Sequence, residues 1–305
     1  MNKKNKVVIT GVTSFTGVHF AVELSKQGFE VIGYSRNLAQ LNVDQKARLR
    51  FLQKNSPTIK IVDSENIKKI GKIDGVCLHG ANTANYRRAE FETHKSNMEF
   101  QEIADAIIKV TKPELIMYTS SYAEAELALG EKPNRSFGPY ADFKTIAWNE
   151  INTKYANQIP IFRYVIPTPF GQLEGRRLVR YLLDSWGSNM MPEIQFPLYV
   201  RDYVPITLLR EHYANIMQDS FEKGLQKVFK PSFYAETNLA FVSRYAQELR
   251  IRSKINSKFL YSADNNYLEP LIRINTEQLS QTLTNIEEKK VWDKIIEDSL
   301  RTMSM

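Results

Sequence analysis

Short runs of apolar residues alternate with longer amphipathic stretches through the first half of the chain. Unbroken apolar runs are typical of strands buried on both faces, and helical spacing of apolar residues is typical of amphipathic helices. The runs predict strands at residues 7–9, 30–34, 58–62, 73–79, 115–118 and 161–166. Helices are predicted between them at residues 18–27, 86–110 and 140–155, with a partly helical segment within 37–57. This alternation predicts a parallel sheet in a doubly wound α/β fold.

The first predicted strand ends in a turn of small residues, and a helix follows the turn. The turn has glycine at both ends and serine between them, in the sequence Gly11-Val12-Thr13-Ser14-Phe15-Thr16-Gly17. Such a turn directs backbone N–H groups and the positive end of the helix at a pyrophosphate. Strand, glycine turn, helix and strand form the first half of a dinucleotide-binding Rossmann fold. The alternative is a tight strand-to-helix turn in another kind of α/β protein. Motifs elsewhere in the chain are needed to distinguish the two interpretations.

The alternation weakens in the second half of the chain. Helices are predicted at residues 177–186, 206–221, 239–251 and 291–303, and the segment 194–205 is mixed and contains two prolines. We therefore expect a Rossmann domain over residues 1–166 and a smaller, mixed α/β C-terminal substrate lobe over residues 167–305. Residues of about 206–222 are expected to return to the Rossmann core.

Composition and charge narrow the class of protein. A hydrophobic content of 43% and a charged content of 25% are those of an ordinary soluble globular protein. No apolar stretch is long enough to span a bilayer, and the apolar run behind the basic N-terminus is too short for a signal peptide. The single cysteine, Cys77, excludes an intramolecular disulfide and fits a reducing compartment, so we expect a cytoplasmic protein with a buried structural thiol.

The net charge of +7 raises the possibility of nucleic-acid binding. The lysines and arginines are scattered among acidic residues, however, and no recognition motif occurs. A modest positive charge equally suits a cleft for a phosphorylated small molecule. No His/Cys/Asp cluster has metal-ligand spacing, so no metal site is expected.

Polar residues follow the predicted strands, namely Ser35 and Arg36, Asp63, His79-Gly80-Ala81 and Ser120-Ser121. The carboxyl ends of parallel strands meet at one edge of the sheet, where such folds bind ligands. Arg36 suits the 2′-phosphate of NADP, because an acid at this position would instead hold the ribose of NAD. The alternatives are a surface arginine for Arg36, a turn residue for Asp63 and a structural loop residue for His79.

Tyr140 and Lys144 lie four residues apart in a predicted helix, so their side chains share one face. A phenol has an ordinary pKa of about 10, and a nearby lysine would lower that pKa toward the range of a useful acid or base. A hydroxyl at the end of the fifth strand would bind a substrate oxygen; Ser121 is placed for this, with Ser120 as the alternative. Tyr-x-x-x-Lys pairs are common on solvated helices, so this pattern indicates catalysis only beside a glycine turn and Ser121.

Together these motifs resemble the extended short-chain dehydrogenase/reductase family, the NAD(P)-dependent epimerases and dehydratases of sugar nucleotides. The resemblance covers almost the whole chain. It implies a catalytic triad of Ser121, Tyr140 and Lys144, of which the last two also contact the cofactor. It further implies cofactor contacts from the glycine turn (Gly11, Thr13, Ser14, Phe15, Thr16 and Gly17) and from Ser35, Arg36, Asp63, His79, Gly80, Ala81 and Asn97.

The same resemblance implies where the substrate binds. Residues 163–171 are similar to the segment that runs from the sixth strand toward the nicotinamide and the substrate. Arg201-Asp202-Tyr203-Val204 resembles a family motif whose arginine contacts a substrate phosphate, and Arg273 is expected to act similarly. Ser120 and Tyr122 are expected beside the substrate. The family commonly dimerises through the helices at 86–110 and 140–155, so a homodimer is expected.

Several positions depart from the family pattern. Ser14 replaces the central glycine of the turn, which is expected to weaken cofactor binding or shift the pyrophosphate. Tyr122-Ala123-Glu124 lacks the Asp-Glu pair with which 4,6-dehydratases eliminate water. Tyr122 and Gln172-Leu173 also occupy the regions where the GDP-fucose-forming enzymes carry Cys and His. The reactions still expected are hydride transfers at a single carbon, either reduction of a ketone or epimerisation at C4 by oxidation and reduction.

We therefore expect NADP-dependent reduction of a nucleotide-linked 4-keto (deoxy)sugar, with NAD as the less favoured cofactor. Tyr140 would give the proton, Lys144 would hold the ribose and Ser121 would orient the carbonyl. One alternative is a sugar-nucleotide C4 epimerase that retains its cofactor. The other is a non-catalytic NADP-binding regulator on the same fold, although such proteins usually lose the Tyr or the Lys. No membrane or nucleic-acid partner is expected.

Overall fold

The computed structural model describes residues 4–80, 91–124, 138–175, 177–223, 228–262, 270–279 and 285–303. Its helices are α1 (Phe15–Lys26), α2 (Val43–Asn55), α3 (Thr93–Thr111), α4 (Pro139–Tyr155), α5 (Leu178–Gly187), α6 (Ile206–Lys223), α7 (Asn238–Arg252) and α8 (Asn285–Met303). Its longer strands and their short neighbours are, in chain order, β1 (Lys6–Thr10), β2 (Glu30–Tyr34), β3 (Lys60–Val62), β4 (Gly75–Leu78), β5 (Leu115–Ser121), β6 (Ile161–Ile166), β7 (Thr168–Phe170), β8 (Glu193–Ile194), β9 (Val200–Pro205), β10 (Val228–Phe229), β11 (Pro231–Ser232), β12 (Tyr234–Thr237), β13 (Leu260–Tyr261), β14 (Ile272–Arg273) and β15 (Glu277–Gln278).

The central element is a seven-stranded sheet in the order β10-β6-β5-β4-β1-β2-β3. Every neighbouring pair of these strands is parallel. Strands added after β1 extend the sheet in one direction as far as β3, and β4 then begins the opposite side. The switch point therefore lies between β1 and β4, where ligands bind in sheets of this kind. The predicted Rossmann-type doubly wound sheet is confirmed.

Helix α1 begins three residues before its predicted start, because Ser14 caps its N-terminus. The Ser14 hydroxyl accepts a hydrogen bond from the Gly17 N–H at 3.0 Å. An N-cap of this kind stabilises a helix by about 1 kcal/mol relative to alanine. The helix is buried from Phe15 through Val22. The glycine turn is thus partly helix, and its geometry is set by the cap.

The apolar face of α3 and α4 packs against the sheet in one core cluster. Phe100 and Phe143, from the two helices, share this cluster with Tyr118 of β5 and Val76 of β4, and the ring centroid of Phe100 lies 6.0 Å from those of both Tyr118 and Phe143. Each fully buried side chain of this size contributes about 1.5–3 kcal/mol through removal of apolar area from water. This packing fixes the helix that carries Tyr140 and Lys144 against the carboxyl half of β5.

The chain forms two compact units. The first contains Met1–Glu126, Asn134–Ile166 and Arg210–Phe229, and the second contains Leu127–Pro133, Pro167–Leu209 and Lys230–Met305. In the second unit, β9 pairs with β12 in antiparallel fashion and with β14 and β7 in parallel. The core of this unit is aromatic, and the rings of Tyr203 and Phe241 stack with centroids 3.7 Å apart. Among the described residues, no helix is long and apolar enough to cross a bilayer.

Candidate active site

The glycine turn after β1 packs directly on the turn after β4. A Cβ atom at Gly11, whose φ is +61°, would lie 2.6 Å from the Gly80 Cα, and one at Gly17 would lie 2.3 Å from the Gly11 carbonyl oxygen. The Thr10 hydroxyl joins the two turns by accepting from the N–H groups of His79 and Gly80, both at 2.8 Å. Glycine is therefore required at both positions. A bare backbone turn at a helix N-terminus is a surface that fits a pyrophosphate.

His79 links the two turns through its ring. Its Nε2 lies 2.8 Å from the Thr16 hydroxyl and 3.1 Å from the Ser14 hydroxyl. Burial, reinforced by the positive charge of Lys144, lowers the pKa of His79 to about 3. The ring is consequently neutral at physiological pH and acts as a structural link. Ala81, the third residue of this predicted loop, lies outside the described residues.

The serine that replaces the central glycine is turned inward. Its hydroxyl contacts the Gly17 N–H and the His79 ring, as described above. It therefore takes up one of the N–H groups that a helix N-terminus offers to an anion. Behind this turn, the hydroxyls of Thr13 and Ser35 lie 3.5 Å apart and both residues are buried.

Arg36 and Asp63 engage protein partners. The Arg36 guanidinium lies 2.6 Å from a carboxylate oxygen of Glu99 on α3, with 47% of the arginine side chain exposed. Asp63 caps the short helix Ser64–Lys69, where its carboxylate accepts from the Asn66 N–H at 3.2 Å. The proposed NADP and adenine contacts of these two residues stay predictions.

Asn97 is buried in α3 and binds the neighbouring helix. Its side-chain amide donates to the Glu150 carboxylate of α4 at 3.0 Å. This contact joins the two helices, and the cofactor contact expected of Asn97 stays a prediction. On the same helix the Met98 side chain is 63% exposed. The expected dimer contact through α3 and α4 is likewise still a prediction.

Helix α4 starts with Pro139 directly after Gly138, which has φ +93°. A proline in the first turn suits a helix start, because its missing N–H has no helical partner there. One turn further on, Lys144 is only 3% exposed. Its ammonium donates to the Thr119 carbonyl at 2.8 Å, and its own carbonyl accepts from the Tyr118 hydroxyl at 2.9 Å. Two hydrogen bonds thus attach α4 to the end of β5.

Burial lowers the pKa of Lys144 from its ordinary value of 10.5 to about 8. Glu124 opposes this shift with its negative charge, and Arg163 adds to it with its positive charge. The side chain of Tyr140 is half-buried one turn before Lys144, with ring centroids 6.3 Å from Phe91 and 6.2 Å from Phe143. Burial raises the pKa of the neighbouring Tyr118 hydroxyl, and the negative charges of Glu124 and of an ionised Tyr140 add to this shift. Tyr140 and Lys144 therefore both lie at the carboxyl end of β5.

The two serines that end β5 are in different environments. Ser120 is 2% exposed, donates its hydroxyl to the Glu124 carboxylate and accepts from the Arg163 Nε at 3.1 Å. Ser121 is partly exposed, and its hydroxyl accepts from the Ala123 N–H at 3.2 Å. Tyr122 continues the turn, with its N–H donating to the Ile166 carbonyl at 3.1 Å. The described contacts thus make Ser121 the more accessible hydroxyl.

Sequence reasoning missed the roles of Glu124 and Arg163. They form a buried ion pair, with 0% and 6% of their side chains exposed. A signal for Glu124 was present, because Ser121-x-x-Glu124 has the spacing of a capping box. One of the two capping-box contacts forms here, because the Glu124 carboxylate accepts from the Ser121 N–H at 3.0 Å, while the Ser121 hydroxyl accepts from the Ala123 N–H.

In the second unit, Arg201 and Arg273 lie side by side. They are paired in register on the parallel strands β9 and β14, and both are buried. Arg201 donates to the Val200 carbonyl at 2.8 Å and stacks on Tyr199 with 4.1 Å to the ring centroid. Asp202 accepts from backbone N–H groups of Phe233 and Asn275. Because neighbouring residues on a strand face opposite sides, the arginines share one face and Asp202 lies on the other.

A parallel sheet with a glycine turn at its switch point, and a tyrosine–lysine helix attached beyond its fifth strand, defines an enzyme of the short-chain dehydrogenase/reductase type that uses a nicotinamide dinucleotide. The chain belongs to the NAD dependent epimerase/dehydratase family, whose sequence model matches residues 7–186. The predicted family and the predicted class of enzyme are confirmed. No curated protein matches the chain.

Solved structures share the fold. One is the UDP-glucose 4-epimerase of Stenotrophomonas maltophila with bound NAD and formylated UDP-arabinopyranose, with a TM-score of 0.72, 13% identity and 98% of each chain covered. Another is the UDP-glucose 4-epimerase of Thermotoga maritima with UDP-glucose, with a TM-score of 0.72, 15% identity, and 98% of this chain and 99% of that chain covered. The UDP-glucuronic acid 4-epimerase of Bacillus cereus with NAD gives a TM-score of 0.70 at 14% identity, with 97% of each chain covered.

Proposed function

We propose that the protein catalyses oxidation and reduction at C4 of a nucleotide-linked sugar, and that it acts as a C4 epimerase with NAD. The observation that carries this proposal is that the buried ammonium of Lys144 is bonded to the Thr119 carbonyl of β5, with half-buried Tyr140 one turn before it on α4 and partly exposed Ser121 two residues further along the strand. When bound, the nicotinamide supplies the acceptor and donor of the hydride.

The residues of this chain supply proton transfer and orientation. Tyr140 removes the proton of the C4 hydroxyl as the carbonyl forms, and returns it when the carbonyl is reduced. Lys144, charged below its pKa of about 8, favours the phenolate form of Tyr140 and holds the ribose. Ser121 donates a hydrogen bond to the sugar oxygen. Epimerisation follows when the 4-keto sugar rotates in the site, so that the hydride returns to the opposite face of C4.

Arg201 and Arg273 fit the diphosphate of a sugar nucleotide. Two guanidinium groups on one face of a sheet bind phosphate oxygens through charge-assisted hydrogen bonds. The Asp202 carboxylate is directed to backbone donors on the other face, so it does not neutralise them locally. This arrangement supports a substrate with two adjacent phosphates.

The choice of NAD over NADP depends on Arg36. This residue was the reason to favour NADP, and its guanidinium is paired with Glu99 at 2.6 Å. A 2′-phosphate at that position would meet the Glu99 carboxylate, and like charges at short range repel. The solved 4-epimerases with bound NAD support the same choice. NADP-dependent reduction of a 4-keto sugar is the second candidate, favoured by the half-exposed Arg36 itself.

The test is a panel of UDP-sugars, with products identified by NMR and nicotinamide followed by absorbance. We expect interconversion of C4 epimers without net consumption of nicotinamide, and NAD released when the purified protein is denatured. Stoichiometric loss of NADPH with a 4-keto sugar would instead establish the reductase. Cofactor binding without turnover of any sugar nucleotide would contradict both.

Tyr140→Phe should lower kcat by a factor of about 10²–10⁴, the usual contribution of a general acid–base, and leave cofactor affinity nearly unchanged. The matched control is Tyr155→Phe, which removes a hydroxyl bonded to Asp105 at the far end of the same helix. Activity of the control should equal that of the wild type. Unchanged turnover in Tyr140→Phe would end the proposal.

A further inference from the structure

Four groups surround the end of β5 in a closed arrangement that the proposed mechanism does not use. The Glu124 carboxylate accepts from the Ser120 hydroxyl and, at 3.0 Å, from the Ser121 N–H. The Arg163 guanidinium pairs with the same carboxylate and donates to the Ser120 hydroxyl at 3.1 Å. On its other side Arg163 lies over Trp148 of α4, 4.7 Å from the ring centroid.

This ion pair connects three elements that carry the candidate site. Glu124 belongs to the turn after β5, Arg163 to β6 and Trp148 to the same helix as Tyr140 and Lys144. In the register of the sheet Arg163 lies opposite Tyr118, whose hydroxyl holds the Lys144 carbonyl. The pair therefore contacts the strand end, the neighbouring strand and the catalytic helix at once.

Taking two charges out of water is expensive, and such a pair is often no more stabilising than apolar residues of the same size. Apolar residues of similar size could fill the same space, so the presence of two buried charges needs a reason other than stability. Their contacts supply one, since Glu124 binds the Ser120 hydroxyl and the Ser121 N–H, and Arg163 binds the Ser120 hydroxyl.

We propose that Glu124 and Arg163 are positioning residues of the candidate active site: they hold Ser120 as an internal fixture, present Ser121 to the substrate and set the electrostatic field at Lys144. This inference rests on the proposed function for its catalytic consequence. The arrangement also assigns the two serines separate roles, because the hydroxyl of Ser120 is committed to the ion pair on both its donor and its acceptor side.

The field at Lys144 makes the proposal measurable. Among the residues that the structure describes, the charged and titratable groups around this end of the sheet are Glu124, Arg163, Tyr118, Tyr140 and His79. Glu124 favours the ammonium form of Lys144 and Arg163 disfavours it. Neutralising one partner or the other must then move the Lys144 pKa in opposite directions.

The first experiment uses Glu124→Gln and Arg163→Gln in protein labelled with ¹³C at the lysine ε position, titrated by NMR, with the Lys144 resonance assigned by its loss in Lys144→Met. We expect the Lys144 pKa to fall below about 8 in Glu124→Gln and to rise above it in Arg163→Gln. The control is Glu23→Gln, which breaks the Arg210–Glu23 pair elsewhere in the same unit and should not move Lys144. Shifts of the same sign, or none, would overturn the proposal whatever reaction the protein catalyses.

The second experiment tests the proposal if the single substitutions prevent folding. Glu124→Leu combined with Arg163→Met replaces the pair by apolar groups of similar size, a change that proteins often tolerate. We expect amide hydrogen exchange at Ser121 to accelerate, because its N–H loses the Glu124 acceptor, and kcat to fall by about tenfold to a hundredfold, the effect of displacing a reacting group by about an ångström. Wild-type exchange at Ser121 would overturn the positioning role. Faster exchange with unchanged turnover would overturn the catalytic consequence alone.

Discussion

Two regions at the carboxyl edge of the central sheet are built in different ways. The turn after β1 is made from backbone: Gly11 and Gly17 are in contact with neighbouring main-chain atoms, and the Thr10 hydroxyl joins it to the turn after β4. The end of β5 is made from buried charged side chains, with Lys144, Glu124 and Arg163 all less than a tenth exposed. A site made from backbone tolerates few substitutions, because an added side chain meets main-chain atoms. A site made from buried charges carries a desolvation cost, so replacing a charged residue by an apolar one can raise the free energy of unfolding.

The largest effect on stability is expected at the backbone-built region. A Cβ at Gly17 would lie 2.3 Å from the Gly11 carbonyl oxygen, which belongs to backbone and has little freedom to move. Gly17→Ala should therefore lower the free energy of unfolding by about 3 kcal/mol, within the range for overpacking. Urea denaturation monitored by tryptophan fluorescence measures this loss.

The matched control for that substitution is Gly28→Ala. Gly28 has φ +97°, but a Cβ there meets nothing within 4 Å, so only the backbone strain remains. Its expected cost is about 1 kcal/mol. A loss at Gly17 no larger than that at Gly28 would contradict a severe clash between the added Cβ and the Gly11 carbonyl oxygen.

Replacement of a buried charge in the charge-built region should have the opposite effect and raise the free energy of unfolding. Because the pKa of Lys144 is about 8 in the fold and 10.5 ordinarily, the unfolded chain binds more protons between these values. Wild-type stability should then rise with pH across this window, and Lys144 should impose its full cost below pH 8. Lys144→Met is expected to raise the free energy of unfolding by about 2 kcal/mol at pH 7, after allowance for the lost bond to the Thr119 carbonyl.

Denaturant melts at several pH values check this prediction. The gain in Lys144→Met should shrink as the pH rises from 8 toward 10.5. Lys109→Met, at an exposed position on α3, should change the free energy of unfolding by less than about 0.5 kcal/mol at every pH. A pH-independent effect of Lys144→Met would contradict the view that desolvation dominates this site.

The smallest effect is expected at Ser14, where the backbone-built region carries its one departure from the family pattern. Ser14→Gly should cost only a few tenths of a kcal/mol, because glycine is itself an acceptable N-cap. It also frees the Gly17 N–H from the serine hydroxyl, so cofactor affinity should rise by a few-fold. Titration followed by nicotinamide fluorescence measures the affinity, and a weaker cofactor complex would be evidence that the hydroxyl itself helps to bind it.

The difference between the two regions also explains what the sequence could predict. The sheet could be predicted from the sequence because its strands are apolar runs buried on both faces. The observed β2 and β6 have the predicted bounds. The turn was readable because glycines at fixed spacing have few other uses. In the second unit, β8, β13 and β14 have two residues each, which is too short for any periodicity to show.

The end of β5 was only partly readable. Tyr140 and Lys144 were identified from their spacing, whereas Glu124 and Arg163 are 39 residues apart and no local pattern in the sequence pairs them. Their burial follows from the pairing of β5 with β6, which places Arg163 beside Tyr118. A pair of charges that depends on strand pairing has no local pattern. The same holds for Arg36, which follows β2 and whose partner Glu99 lies on α3.

Strand β9 places opposite charges back to back, with Arg201 on one side of a thin sheet and Asp202 on the other. Side chains of a strand change sides at every residue, so moving this strand along its neighbours by one position would exchange the two. An anion-attracting surface would become an anion-repelling one without any substitution. The same shift would also move Tyr203 away from Phe241, on which it stacks in the core of this unit, so a one-residue change of register in β9 should damage folding and ligand recognition together.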